Sequence, residues 1–94
     1  MSGRKKIQRN IEADHSHVCF KPCGIRNIYL EQIELFEDEM EAIRLSDYEG
    51  LYQEECAKKM GVSRTTFARL ITTARKKIAD ALLHSQALKI KRKI

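Results

Sequence analysis

The stretch Gln53-Glu54-Glu55-Cys56-Ala57-Lys58-Lys59-Met60-Gly61-Val62-Ser63-Arg64-Thr65-Thr66-Phe67-Ala68-Arg69-Leu70 has the pattern of two helices joined by a tight turn. Cys56, Ala57 and Met60 form the inner stripe of a first short helix. Gly61 can take the positive φ that a turn needs. Ser63 offers a hydroxyl to the free N–H groups of a second helix that starts Arg64-Thr65-Thr66. The reading is a helix-turn-helix.

Outward from that motif, no breaker interrupts the second helix between Arg64 and His84, a length of about 31 Å at 1.5 Å per residue. At 100° per residue, Phe67, Leu70, Ile71, Ala74 and Ile78 fall on one side. Thr65, Arg69, Thr72 and Lys76 fall on the other. The first group is the expected core face and the second the expected free ridge. Upstream, Glu37 to Tyr48 reads as a helix opened by Glu37, Asp38 and Glu39 at its positive end and closed by Gly50. Its apolar residues occupy two faces, Phe36, Met40 and Ile43 on one and Ala42 and Leu45 on another, so it is expected to be covered twice. Tyr52 is a poor cap for the short helix that follows it.

The predicted architecture is therefore mainly all-α, a small three-helix helix-turn-helix domain over residues 35–86. A basic arm, irregular or with a short strand at Val18-Cys19-Phe20, precedes it as residues 1–34. A basic tail follows as residues 87–94, where Leu88 and Ile90 alternate with Lys89 and Lys91. That alternation suits a strand pairing with residues 18–20 of its own or another chain.

The net charge of +5 is unevenly spread. Residues 1–30 carry six Lys or Arg against two acids, residues 31–57 one against ten, and residues 58–94 eleven against one. Charge runs commonly do no more than solvate a helix. Here the basic run begins within the turn motif, the footprint expected where a polyanion is met, and the acidic middle is expected to face away from it.

Such a ridge suits double-stranded DNA, because the major groove admits one α-helix. Arg69 can address O6 and N7 of guanine together, and Thr65 and Thr66 can bond to bases or place a methyl against thymine. Arg64 stands at the entrance. Gln53, Lys58, Lys59, Ser63 and Lys76 are of the types that hold phosphate. A motif this small buries little surface, so a homodimer reading two half-sites is expected, with Ile78, Ala81, Leu82 and the tail from Leu88 as its interface.

Ninety-four residues, 43% of them hydrophobic, bound the chain to one small domain without room for a deep catalytic cavity. No apolar run is long enough for a membrane span, and no apolar stretch follows the basic start, so a cytoplasmic protein is expected. The three cysteines are then reduced thiols, with Cys56 packed in a helix face. Adjacent acids such as Glu54 and Glu55 diverge on a helix, and no phosphate loop or nucleophile motif occurs. The chain is not read as an enzyme.

His15, His17, Cys19 and Cys23 place two imidazoles and two thiols within nine residues, a permissible tetrahedral zinc set. Their spacing lacks the separated pairs of a standard finger, and plain strand alternation accounts for them equally well. No cofactor is assigned beyond this optional zinc.

The stretches Glu41-Ala42-Ile43-Arg44-Leu45, Glu49-Gly50-Leu51-Tyr52-Gln53-Glu54-Glu55 and Met60-Gly61-Val62-Ser63-Arg64 resemble region 4 of bacterial sigma factors, which reads promoter DNA. With Phe20-Lys21-Pro22, Gly24-Ile25, Ala74-Arg75-Lys76-Lys77-Ile78-Ala79 and Ala87-Leu88-Lys89-Ile90, the chain resembles more closely the domain of unknown function 134 family. That resemblance covers about three quarters of the chain, is weak before Phe20, and implies a DNA-binding module without a target. Some relatives carry a further domain, which implies that this chain acts without it or with a separate effector partner. Three functions follow as expectations: a DNA-binding transcriptional regulator, a protein-binding adaptor that uses the acidic helix to meet a partner such as RNA polymerase, and a metal- or redox-responsive regulator.

Overall fold

A computed structural model describes residues 18–92. Among them it contains three α-helices and one three-stranded sheet, joined as β1 (Cys19–Phe20), a 3-10 turn (Asn27–Tyr29), β2 (Gln32–Phe36), α1 (Glu37–Ile43), a π-helical turn (Arg44–Tyr48), α2 (Gln53–Met60), α3 (Arg64–His84) and β3 (Ala87–Lys91). No helix in the described residues is long and apolar enough to cross a membrane.

The first helix keeps its expected limits but changes its winding. Glu37, Asp38 and Glu39 occupy its first turn, next to the partial positive charge of the free N–H groups. From Arg44 the ladder widens, with Glu49 N–H donating to Arg44 O at 2.8 Å and Leu51 N–H to Leu45 O at 3.1 Å. The expected α-helix to Tyr48 is therefore α only as far as Ile43. The wide turn keeps Leu45 buried while Asp47 meets Arg75 of α3, so tertiary pairing overrides regular winding.

Gly50, at φ 75°, ends that segment, and α2 begins after Tyr52, whose side chain makes no capping bond. The end of α2 is better specified. Gly61 takes φ 70°, its N–H donates to Lys58 O at 3.1 Å, and Val62 N–H donates to Ala57 O at 3.0 Å. This paired closure satisfies carbonyls left over at the helix end. Ser63 Oγ then accepts from Thr66 N–H at 3.0 Å and starts α3, which runs unbroken to His84.

Two apolar clusters result, and the first helix is covered on both sides, as its two apolar faces predict. Ala42 and Leu45 pack with Cys56, Ala57, Phe67 and Ile71, while Leu35, Ala74 and Ile90 form a second cluster with Met40 and Leu88 against it. Ile43 touches both. Cys56 is fully buried, its thiol donates to Leu51 O at 3.6 Å, and burial pushes its pKa up, so it stays a protonated core group.

The sheet has the order β1-β3-β2, with β1 antiparallel and β2 parallel to β3. Cys19 lies opposite Lys89 and Phe20 opposite Leu88, the pairing of arm and tail suggested by their alternation. β2 was not anticipated: it starts inside the stretch read as irregular arm. The proposed dimer contacts also change, because Ala81 and Ile90 are buried in the chain's own interior.

The open edge of β2 is closed by side chains. Glu31 O accepts from Ala87 N–H, so by strand alternation the backbone groups of Glu34 and Phe36 point away from β3. Lys77 Nζ donates to Glu34 O at 2.8 Å and to Glu39 Oε1 at 2.8 Å. Glu39 Oε1 in turn accepts from Phe36 N–H at 2.9 Å. The ammonium also stands 4.6 Å from the centre of the Phe36 ring, within range of a cation–π attraction. One ion pair thus does the work of a neighbouring strand and pins the sheet to α3.

Lys77→Met, which keeps the apolar stem but leaves Glu39 charged and without its ammonium, is expected to lower stability by about 3 kcal/mol. Glu39→Gln, which still offers an acceptor to Phe36 N–H, should cost less, and urea unfolding of both variants checks the order.

Candidate nucleic-acid interface

The ridge of α3 arises because the opposite side of the helix is consumed by packing. Phe67, Ile71 and Ala74 are at most 1% exposed. Thr65, Arg69, Thr72 and Lys76 are all exposed, and their spacing spreads them over about 16 Å of helix axis. Gln53, Lys58 and Lys59 of α2, and Ser63, Arg64 and Thr66 at the turn, are exposed as well. All ten positions selected from the sequence lie at the surface of α2, the turn or α3.

Pairing divides the cations into two sets. Arg75 binds Asp47 through Nη2 at 2.6 Å and Nε at 3.2 Å and also reaches Ser46 Oγ. Lys77 holds Glu39, Lys91 holds Glu34 at 3.1 Å, and Arg44 holds Glu41 at 2.7 Å. By contrast, Lys58, Lys59, Arg64, Arg69 and Lys76 make no ion pair among the described residues. The acidic middle therefore does not simply face away from the basic segment. It neutralises the part of that segment lying against the body and leaves the ridge charged.

Not every ridge side chain is equally available. Ser63 Oγ is engaged by Thr66 N–H and lies 2.9 Å from Thr66 Oγ1, so both hydroxyls serve the helix start. Thr73 was missed. It is exposed and lines a cleft of about 300 Å³ with Arg69, Thr66 and Leu70 beside Glu39. Its place four residues after Arg69 was the available signal, since that spacing returns to nearly the same helix face.

The zinc set lies only partly within view. His15 and His17 are outside the described residues. Cys19 is half-buried on β1, with its sulfur 3.9 Å from the Asn27 amide, and Cys23 is exposed in the following turn. Among the described residues no group of three or more His, Cys, Asp or Glu is placed to hold a metal ion. His84 Nδ1 sits 2.6 Å from Asp80 Oδ1, a local contact at the end of α3.

A family model described as "Protein of unknown function DUF134" matches residues 1–92. The chain belongs to this family. DUF134 similarity thus begins well before Phe20, further than the three quarters of the chain expected from the motifs alone. The chain is 48% identical over 89 residues to a UPF0251 protein of Prosthecochloris aestuarii, covering 95% of itself and 57% of that relative. It is 51% identical over 82 residues to one of Caldanaerobacter subterraneus, covering 87% and 70%, and 48% identical over 87 residues to one of Vibrio cholerae, covering 93% and 89%. It therefore spans little more than half the length of some relatives and most of others. No solved structure matches the chain.

Two variants check the local chemistry. Ser63→Ala removes the acceptor for Thr66 N–H and is expected to destabilise by about 1 kcal/mol in thermal or urea unfolding. The hydrogen bond from Arg75, aided by its charge, holds the Asp47 carboxyl below its ordinary value of 3.8. Because the folded value is the lower one, this contribution is complete above the ordinary value and vanishes as pH falls through the folded value. Asp47→Asn is expected to cost about 0.5 kcal/mol at neutral pH, as half-exposed pairs do, and nothing in strong acid. A series of urea titrations across pH measures the difference.

Proposed function

We propose that the chain is a sequence-specific DNA-binding regulator in which α2, the Gly61-Val62-Ser63 turn and α3 act as a helix-turn-helix similar to region 4 of sigma factors. α3 enters the major groove. An α-helix with its side chains is about 10–12 Å across, and the groove is about 12 Å wide. Arg69 reads guanine, Thr65, Thr72 and Thr73 touch neighbouring base edges, and Arg64 with Lys58, Lys59 and Lys76 grips phosphate. Gln53, at the first turn of α2, adds a polar phosphate contact. The functional molecule is a dimer that addresses two half-sites.

The observation that carries this reading is the selective pairing of charge. Arg75, Lys77 and Lys91, which lie against the body, are bound to Asp47, Glu39 and Glu34, and the cations of the ridge are left for an external anion. A ridge serving only solubility would not need its threonines and arginines collected on one side of a long helix. The adaptor alternative loses force because Glu39, Glu41 and Asp47 are already engaged within the chain.

The test is selection from a random duplex library at two salt concentrations, followed by titration of the recovered sequence. Affinity is expected to fall by orders of magnitude between about 50 and 200 mM salt, as counterion release requires. Arg69→Ala is expected to lose about 1–3 kcal/mol of discrimination between the selected and scrambled sequences. An equal loss on both would make Arg69 a phosphate contact. Failure to enrich any sequence, with no salt-sensitive binding, would remove the proposal.

A further inference from the structure

The cleft beside Arg69 lies wholly to one side of the ridge. Counted round the helix from Arg69, Thr73, Thr66 and Leu70 fall at about 40°, 60° and 100° in one direction, whereas Lys76, Thr65 and Thr72 fall in the other. Glu39 of α1 forms the opposite wall. Much of the polar chemistry around this cleft is already committed. Thr66 Oγ1 accepts from Ser63 Oγ at 2.9 Å, and Glu39 Oε1 accepts from both Lys77 and Phe36 N–H. The cleft therefore offers a ligand mainly apolar surface, from the half-buried Leu70 and the carbon of two threonines. Beside that surface stands the exposed guanidinium of Arg69, which makes no ion pair among the described residues. Lys77 has a second effect here: by neutralising Glu39 it removes the charge that would draw Arg69 down into the cleft.

We infer that this cleft receives the C5-methyl group of a thymine immediately 5′ to the guanine that Arg69 reads, so that the module selects a two-base step. The inference rests on the DNA reading above and carries it from one base to two. To bond O6 and N7 together, the guanidinium lies in the plane of the guanine. Its flat face then covers the neighbouring base, stacked about 3.4 Å away. A thymine there presents its methyl group toward the outer rim of the major groove and its O4 toward the centre. The methyl group meets Leu70, Thr66 and Thr73 on the flank of α3, while O4 faces the donors of Arg69 and the Thr73 hydroxyl. Cytosine in the same place lacks the methyl group and sets its N4 amino donor against those donors. Purines have no methyl group to fill the cleft. The dimensions agree: Thr66 and Thr73 are seven residues apart, about 10 Å along the axis, and the cleft of about 300 Å³ admits the methyl group with the edge of its ring.

The experiment starts from the duplex recovered by selection and changes only the base 5′ to the guanine, with affinity read by fluorescence anisotropy of the full chain at one salt concentration. Replacing thymine by deoxyuracil, which removes the methyl group and nothing else, is expected to weaken binding about fourfold, the worth of one buried methyl group. Cytosine is expected to bind more weakly still, and 5-methylcytosine to regain about fourfold over cytosine. Thr73→Ser keeps the hydroxyl, removes the side-chain methyl group and stands at an exposed position compatible with folding. In that variant the ratio of thymine to deoxyuracil affinity is expected to fall toward one, with circular dichroism and thermal midpoint native. Selected sites in which guanine has no thymine on its 5′ side overturn the inference and leave the DNA reading standing. Equal affinity for thymine and deoxyuracil, or a ratio unchanged in Thr73→Ser, does the same. Absence of any salt-sensitive duplex binding removes the DNA reading itself and this inference with it.

Discussion

The contact between Lys77 and Glu39 holds the two halves of this small domain together. A buried carboxylate is costly to desolvate, and it is tolerated here because both of its demands are met: a cation at 2.8 Å and a backbone N–H at 2.9 Å. The same ammonium satisfies a carbonyl on the strand edge and lies against an aromatic ring. Sheet, first helix and long helix are thereby referred to one point. The edge of β2, which could otherwise recruit a foreign strand, is occupied at Glu34 and Phe36.

From that anchor the charge distribution acquires a structural meaning. A chain with a strongly acidic middle and a strongly basic end could simply collapse one part onto the other. Geometry prevents complete neutralisation, because α3 is a rigid rod and only one side of it can meet the acids. Arg75 and Lys77 fall on or beside that side and are paired. Arg69 and Lys76 fall beyond its reach. Packing of Phe67 and Ile71, far from any charge, therefore decides which cations remain available.

The parts legible in the sequence were those specified by local chemistry. Ser63 and the unbroken run after it located α3 at both ends, and Gly61 located the turn, since each acts on backbone groups within a few residues. The double coverage of the first helix was legible as well, from Met40 and Ala42 on different faces. β2 was hidden because Glu34 and Gln32 are weak strand formers and its partner β3 is remote, although the alternation with Ile33 and Leu35 was present. The π-helical turn at Arg44–Tyr48 and the binding of Lys77 to Glu39 share one cause. Both depend on residues brought together from 28 and 38 positions away, which no window of periodicity senses. The ridge was legible as a surface; which of its cations would stay unpaired was not.

Parallel pairing of β2 with β3 has a consequence for the order of assembly. Glu31 and Gln86, at the entry to that ladder, are 55 positions apart, and closing a loop of this length costs roughly 3–4 kcal/mol of chain entropy. The helices between them form through nearer contacts and can gather first. During synthesis the strand bearing Leu88 and Ile90 emerges after the elements it covers, so the growing polypeptide carries a half-built interior with its apolar floor open until that strand arrives to latch it.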